Sequence, residues 1–304
     1  MNGKLISIWI AGLTLIVVFM GFITFDSGDV GAYTPHDPII INGDENFTAA
    51  NGVTGGSGTW DDPYIIEGWE INLDETDGIK ISNTNAHFVI RNVHIYHGWS
   101  HSAISFFGVE NGRVEHSKLE FNKYFLYMAA ATNITIDNNT ISYGYCGFYL
   151  NACYDISIVN NTLNKPHFGI YSYFNFDSVI AGNTFSGSWH AIDLKSSDNF
   201  TIADNVLARN YYSIFLNTST DISVHHNDIF NNGYEAYDNG GSENSWDNGP
   251  ISGGNFWGNY SGVDLNGDGI GDTPYIIDED SQDNHPLMQP NLVPAAPENL
   301  QATP

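Results

Sequence analysis

The sequence predicts an all-β protein, a right-handed parallel β-helix with 22-residue coils and three short strands per coil. Three observations predict it. Residues 104–235 repeat every 22 residues, six times and without insertion, with units beginning at Ile104, Leu126, Phe148, Ile170, Ile192 and Ile214. A fixed period of this size marks a solenoid, whose units bury their apolar faces only by stacking. Two columns stay apolar in all six units: Val114, Ile136, Ile158, Ile180, Ile202, Val224 and Leu119, Ile141, Leu163, Phe185, Leu207, Ile229. Apolar residues alternate two apart within each unit, and no segment carries a helical period. Right-handed winding is the default for parallel crossovers.

Each segment then has a reason. Residues 1–32 read as a signal peptide or a membrane anchor, because Lys4 precedes a run that is apolar from Leu5 to Phe25 apart from Ser7, Thr14, Thr24 and glycines. Val30-Gly31-Ala32 offers small residues for signal peptidase, while about 20 apolar residues also suffice to span a bilayer. Residues 33–63 are assigned to an N-terminal cap that includes the Gly-rich stretch 52–59, since the open end of a β-helix needs covering. The helix is assigned to residues 64–236, starting at Tyr64 and passing through a 25-residue coil, 79–103, before the regular array. Corners are marked by one column of Asn111, Asn133, Asp155, Asp177, Asn199, Asp221 and another of Ser117, Asn139, Asn161, Asn183, Asn205, Asn227. Asn and Asp tolerate left-handed backbone, and stacked amides bond from coil to coil. Because Asn and Asp interchange freely in the first column, Asp155 and Asp177 read as turn residues and not as a catalytic pair. Cys146 and Cys153 bracket an extended segment too long for a disulfide, and are read as reduced, partly buried thiols.

Residues 237–290 read as a C-terminal cap containing a calcium-type loop. Asp264, Asn266, Asp268, Ile270 and Asp272 place oxygen ligands at alternate positions around Gly267 and Gly269, as hard-cation loops do. Tyr275 stands where a bidentate Glu would close a complete EF-hand, so Asp278, Asp280 or Asp283 is left to complete the shell. The cofactor expected is Ca2+ in a structural role. A weaker metal alternative is His94, His97 and His101, three imidazoles in the enlarged loop of the first long coil. Residues 291–304 form a linker whose Ala-Pro-Glu-Asn-Leu-Gln-Ala looks like the start of a fibronectin type III domain, so further domains beyond Pro304 are expected.

Charge narrows the partners. Thirty-five acids against nine bases give a net charge of −26, which argues against nucleic acid and anionic membrane surfaces. It also disfavours an anionic polysaccharide unless calcium screens it. The expected partner is a polysaccharide or cell-surface glycan, with membrane contact only through the N-terminal anchor, and the expected location is extracellular or cell surface. The candidate ligand surface is aromatic: Tyr127, Tyr149, Tyr171 and Tyr173 point outward from the first strand, and Trp189 and Tyr211 come from the loop before it. Flat rings suit sugar faces; ring-on-ring stacking between coils is the competing reading. Weak catalytic candidates within the same patch are Asp193, Lys195 and His190.

The NNT-I corners, the opening Gly-Gly-Ser-Gly-Thr-Trp-Asp-Asp-Pro-Tyr-Ile-Ile-Glu-Gly-Trp-Glu-Ile, and the closing Asn255-Phe-Trp-Gly-Asn-Tyr to Asp283-Asn-His-Pro-Leu-Met resemble the NosD-like, carbohydrate-binding-and-sugar-hydrolase β-helix repeat family of the pectin-lyase-like fold. The resemblance covers roughly residues 39–290. It implies an extracytoplasmic, carbohydrate-associated role and names no reaction, because function resides in sites and not in folds. Three readings follow. The first is an exported, non-catalytic surface or carbohydrate-binding protein. The second is a polysaccharide lyase or glycoside hydrolase working on the aromatic face. The third is NosD-like copper handling, for which four methionines and two distant cysteines supply no evident soft site.

Overall fold

The computed structural model describes residues 33–241 and 243–291. The candidate leader and the linker after Asn291 lie outside the described residues. The described chain is a parallel β-solenoid. A typical coil runs Tyr124–Ala129, Thr132–Asp137 and Thr140–Ser142, and each strand pairs in parallel with its counterpart 22 residues on, Leu126 with Phe148, Ile134 with Ile156 and Thr140 with Thr162. The third strands form a ten-stranded sheet. The first and second strands join into one assembly because Ser102–Glu115 runs unbroken through both faces.

The register explains the core. Since residue i lies over residue i+22, an apolar column becomes a continuous stack of side chains, and Leu126, Phe148, Ile170, Ile192 and Ile214 are all essentially fully buried. Each such side chain contributes about 1.5–3 kcal/mol relative to exposure. Turning corners between flat strands needs positive φ, and each regular coil supplies it at four places, as at Ala130, Asn133, Asn138 and Tyr143. The Asn111-to-Asp221 column does this work throughout, with φ between 52° and 59°. The second Asn column has a different task. It is buried, and Asn139, Asn161, Asn183, Asn205 and Asn227 each donate from Nδ2 to the Oδ1 of the next member, at 2.8–3.0 Å, ending on Asn255. The Asn255 backbone N–H and the Trp257 indole N–H then donate to buried Asp283 at 2.7 and 2.8 Å.

The ends differ from expectation. Ile39–Asn42 pairs with Ile79–Thr84, and Thr34–Pro35 pairs with Trp69–Asn72, so stacked strands begin well before Tyr64. The spacing there is far from 22, which hides the coil from a periodic reading. At the other end Tyr234–Asn239 and Phe256–Trp257 extend the stack past residue 236, with Trp246 and Trp257 closing the core. Phe47, stacked on Tyr64 at 4.4 Å, covers the opposite mouth. Both thiols are free and wholly buried, not partly so, because Cys146 opens the first strand of its coil with its side chain covered and Cys153 lies at an inward corner.

Candidate functional site

The in-register stack turns outward aromatic residues into columns. Tyr127, Tyr149 and Tyr171 stack at 5.0 and 5.5 Å with planes within 9°. The corner before that strand gives a second column, Tyr145, His167, Trp189 and Tyr211, with centroids 5.7, 6.1 and 3.9 Å apart. Tyr124, Phe168, His190 and Tyr212 lie between the two and meet the strand column edge-on, for example Phe168 against Tyr171 at 5.4 Å and 79°. Edge-to-face and offset contacts of this kind add about 0.5–1.5 kcal/mol per pair.

Ring-on-ring stacking between coils is present on the aromatic face. Ring faces are turned to one another along the stack, so the area left to solvent is mostly ring edge and polar tip. Trp189 is 44 % exposed and Tyr211 40 %, so among the described residues no loop folds over them. Tyr127, Tyr149 and Tyr171 are half-buried, and Tyr173 is exposed and packs on Phe174 at 4.2 Å. The six residues thus belong to one surface, but their faces are not free platforms. Beside the corner column runs an open groove of about 610 Å³ walled by Trp189 and Tyr211 and floored by Ser188 and Asn210. The groove was missed in the sequence because the corner column that lines it, Lys165, Gly187 and Arg209, mixes residue types and carries no apolar or Asn signature.

Asp193 breaks the strand column. It sits in register between Tyr171 and Phe215, and the neighbouring rings leave it 0 % exposed. His190 Nδ1 lies 3.2 Å and Lys195 Nζ 3.6 Å from its Oδ2, yet neither carboxylate oxygen nor His190 Nδ1 has a hydrogen bond of good geometry. Lys195 Nζ also sits over the Tyr171 ring, 4.8 Å from its centroid. Burial pushes the Asp193 carboxyl up to about 6, against the pull of Lys195. Burial, helped by Lys195, pushes His190 down to about 4. Desolvation works against the Lys195 ammonium, but Asp193 and Tyr171 outweigh it and hold its pKa up. At neutral pH the cluster is therefore a buried carboxylate, a neutral imidazole and an ammonium. Glycoside hydrolysis needs a second, facing carboxylate. Asp198 does not supply it, since it lies on the following strand and accepts from Thr220 Oγ1 at 2.9 Å.

The loop 264–272 has the oxygen-only donor set of a hard-cation site. Its carboxylates are engaged by its own backbone: Asp264 accepts from Gly267 N at 2.6 Å and Gly269 N at 2.9 Å, Asp268 from Ile270 N at 2.9 Å, and Asp272 from Leu265 N at 2.6 Å. Those backbone bonds, Gly269 first, hold the Asp264 carboxyl below its ordinary range. Asn266 donates to Asp268 at 2.9 Å. Of the three acids expected to complete the shell, Asp283 is not available, because it is buried at the end of the Asn column. Among the described residues no group of three His, Cys, Asp or Glu side chains is placed to hold a metal. The histidine alternative is not assembled either. His94 is bracketed by Glu70 at 3.3 Å and Glu120 at 3.2 Å, and His97 turns to Asn72 Oδ1 at 3.1 Å. His101 contributes its backbone N–H to Gly98 O.

The sequence profile of the family described as "Periplasmic copper-binding protein (NosD)" matches residues 51–262, more than half of the chain. A search of the curated proteins finds no match. Among solved structures the chain is similar to PfbA, a surface adhesin of Streptococcus pneumoniae, at 15 % identity and a TM-score of 0.35, over 60 % of this chain and 70 % of that one.

Proposed function

Because the chain belongs to the NosD family, described as periplasmic, we propose that it is an extracytoplasmic, non-catalytic β-helix that binds a glycan along the corner groove. The observation that carries this reading is the groove itself: an open trough on a rigid scaffold, with the edges of Trp189 and Tyr211 on one side and polar Ser188 and Asn210 beneath. Apolar edges beside a few fixed polar groups match the amphiphilic surface of a sugar. In this reading the stacked columns act as a stiff wall, and the ligand meets ring edges and not ring faces. The loop 264–272 is assigned a structural calcium ion that would rigidify the cap, held by Asp264, Asn266, Asp268, Asp272 and the Ile270 carbonyl.

A lyase or hydrolase centred on Asp193, Lys195 and His190 is the alternative, and the close approach of those three groups is what favours it. The sealed position of Asp193 opposes it, since a catalytic carboxylate must reach the substrate. The copper in the family's description has no observation to favour it here, with both thiols inside the core.

The test is retention of the purified protein on a panel of immobilised oligosaccharides, followed by mass spectrometry of the eluted sugars. Trp189→Ala should abolish retention while leaving the melting temperature within a few degrees. Intact sugars support binding without catalysis. Shortened or unsaturated products would replace this reading with the enzymatic one, and no retention on any member of the panel would remove it.

A further inference from the structure

We propose that the corner groove is a subsite for an acidic saccharide, in which Lys165 and Arg209 bind carboxylate or sulfate groups on successive stretches of the chain. This deepens the glycan reading and rests on it.

Lys165 and Arg209 occupy the same corner position two coils apart. Coils in such a stack are about 4.8 Å apart, which puts the two backbone positions about 10 Å from each other. Gly187 holds the position between them. A Cβ there would meet Lys165 Cγ at 2.9 Å, so the Lys165 stem lies across the glycine and no side chain of that coil stands between the two cations. The whole column takes positive φ, 58° at Lys165 and 61° at Arg209. Left-handed backbone costs an ordinary L-residue roughly 1–2 kcal/mol, a cost that Gly avoids and Asn reduces. Asn231, one coil further on, shows the cheaper solution at φ 57°. Phe121 and Tyr143 take the same backbone at φ 56° and 57°, so the corner imposes it whatever the residue, and the presence of two cations here needs its own reason.

Charge supplies that reason. The chain has only nine Lys and Arg, two of them line this groove, and no Asp or Glu lines it. Among the described residues, Arg91, Arg113, Lys118 and Lys195 pair with carboxylates; Lys80, Lys123, Lys165 and Arg209 form no ion pair, and of these four Lys165 and Arg209 share one groove. Lys165 Nζ rests on the Tyr143 ring at 5.6 Å, which orients the ammonium without neutralising it. On the groove floor Ser188 is 3 % exposed and its Oγ has no hydrogen-bond partner. The net charge of −26 does not forbid an anionic ligand here. Charges further away than the Debye length, about 8 Å at physiological salt, are largely screened, and contact binding is set by the groove. An expectation drawn from net charge alone, that acidic polysaccharides need calcium to approach, is thus reversed locally. Guanidinium and ammonium groups suit carboxylate and sulfate, with Arg209 able to bind in a bidentate way.

The experiment is isothermal titration of the purified protein with three hexasaccharides: hexagalacturonate, a sulfated hexasaccharide and neutral galactohexaose. Because Asn already occupies this corner at residue 231, K165N/R209N removes both charges with little strain, and an unchanged melting temperature verifies the fold. At least one acidic probe should bind about ten-fold or more tighter than the neutral one, and which of the two does so separates uronate from sulfate recognition. In K165N/R209N that preference should vanish while neutral binding persists. Equal binding of acidic and neutral probes, or an acidic preference that survives K165N/R209N, overturns the subsite and leaves the glycan reading standing. No binding of any probe overturns both, and Trp189→Ala, which should weaken all three ligands alike, separates loss of the wall from loss of the charges.

Discussion

Replacing Asp193 by Asn should stabilise the protein at neutral pH. The carboxyl is 0 % exposed, has no well-formed hydrogen bond, and titrates near 6 in the fold against an ordinary 3.8. A carboxyl whose folded pKa is raised favours the fold only while protonated. Its contribution is complete in acid and is lost as pH rises through about 6. A gap of about two pH units corresponds to about 3 kcal/mol at pH 7. Asn carries no charge to desolvate, and its amide can donate to His190 Nδ1, which lacks a partner. The expected gain is therefore up to about 3 kcal/mol, or roughly 6–12 °C in melting temperature for a domain of this size. His190 has the opposite sign. Its lowered pKa, about 4, gives a contribution that is complete above 6.5 and lost as pH falls towards 4. The two trends nearly cancel in the parent protein, so the informative quantity is the difference between parent and variant, followed by thermal melts from pH 7.5 to 4. The difference should be largest at pH 7 and shrink to a small fraction of that by pH 4. A constant difference across that range, or a destabilised variant at pH 7, refutes the view that Asp193 is a desolvated carboxylate.

Three further outcomes follow from the geometry. Asn183→Ala removes donations to Ile158 O, Ala181 O and Asn205 Oδ1 and strands Asn161 N; it should cost about 3 kcal/mol or more, whereas Asn133→Ala at the exposed corner should cost clearly less, as thermal melts would reveal. Burial pushes the Cys146 and Cys153 thiols up, so neither should react with a disulfide reagent at pH 8 until the protein is denatured; rapid native labelling of either contradicts its position in the core. If calcium occupies the 264–272 loop, millimolar calcium should raise the melting temperature in the parent and not in Asp264→Ala, and no rise in the parent removes the ion from the account.

What could be read from the sequence was whatever the period carried. The two apolar columns became core, the Asn111 column became left-handed corners and the Asn139 column became a buried ladder, because stacking converts a sequence spacing directly into contact. The terminal coils were not legible, since their spacings depart from 22; Asn227 meets Asn255 across 28 residues. Nor was the left-handed backbone at Ala130, Tyr143, Lys165 and Arg209, whose residue types give no local hint of it and which take it because the coil must turn there. Asp193 was identified as an outward residue, yet its burial depends on rings from two neighbouring coils, which a single unit's pattern does not contain. The aromatic residues were legible as columns, and stacking between coils was one of two readings of them; how far their faces occupy one another depends on ring angles that the spacing does not carry.

The buried Asn ladder makes the length of this molecule come in whole steps. From Asn139 to Asn205 every amide hands its hydrogen to the copy 22 residues later, and every carbonyl partner recurs at the same offset. A duplicated or deleted 22-residue segment would leave each remaining amide with equivalent neighbours, while a change of 21 or 23 would break the run. The amides all point one way, so the run has a head and a tail, and only the tail must be terminated by an acceptor that asks for nothing further. Asn255 ends the side-chain run by giving its Nδ2 hydrogens to Val224 O and Trp246 O, and Asp283 accepts its backbone N–H, which ties the evolutionary freedom to add or lose coils to this pair outside the repeats.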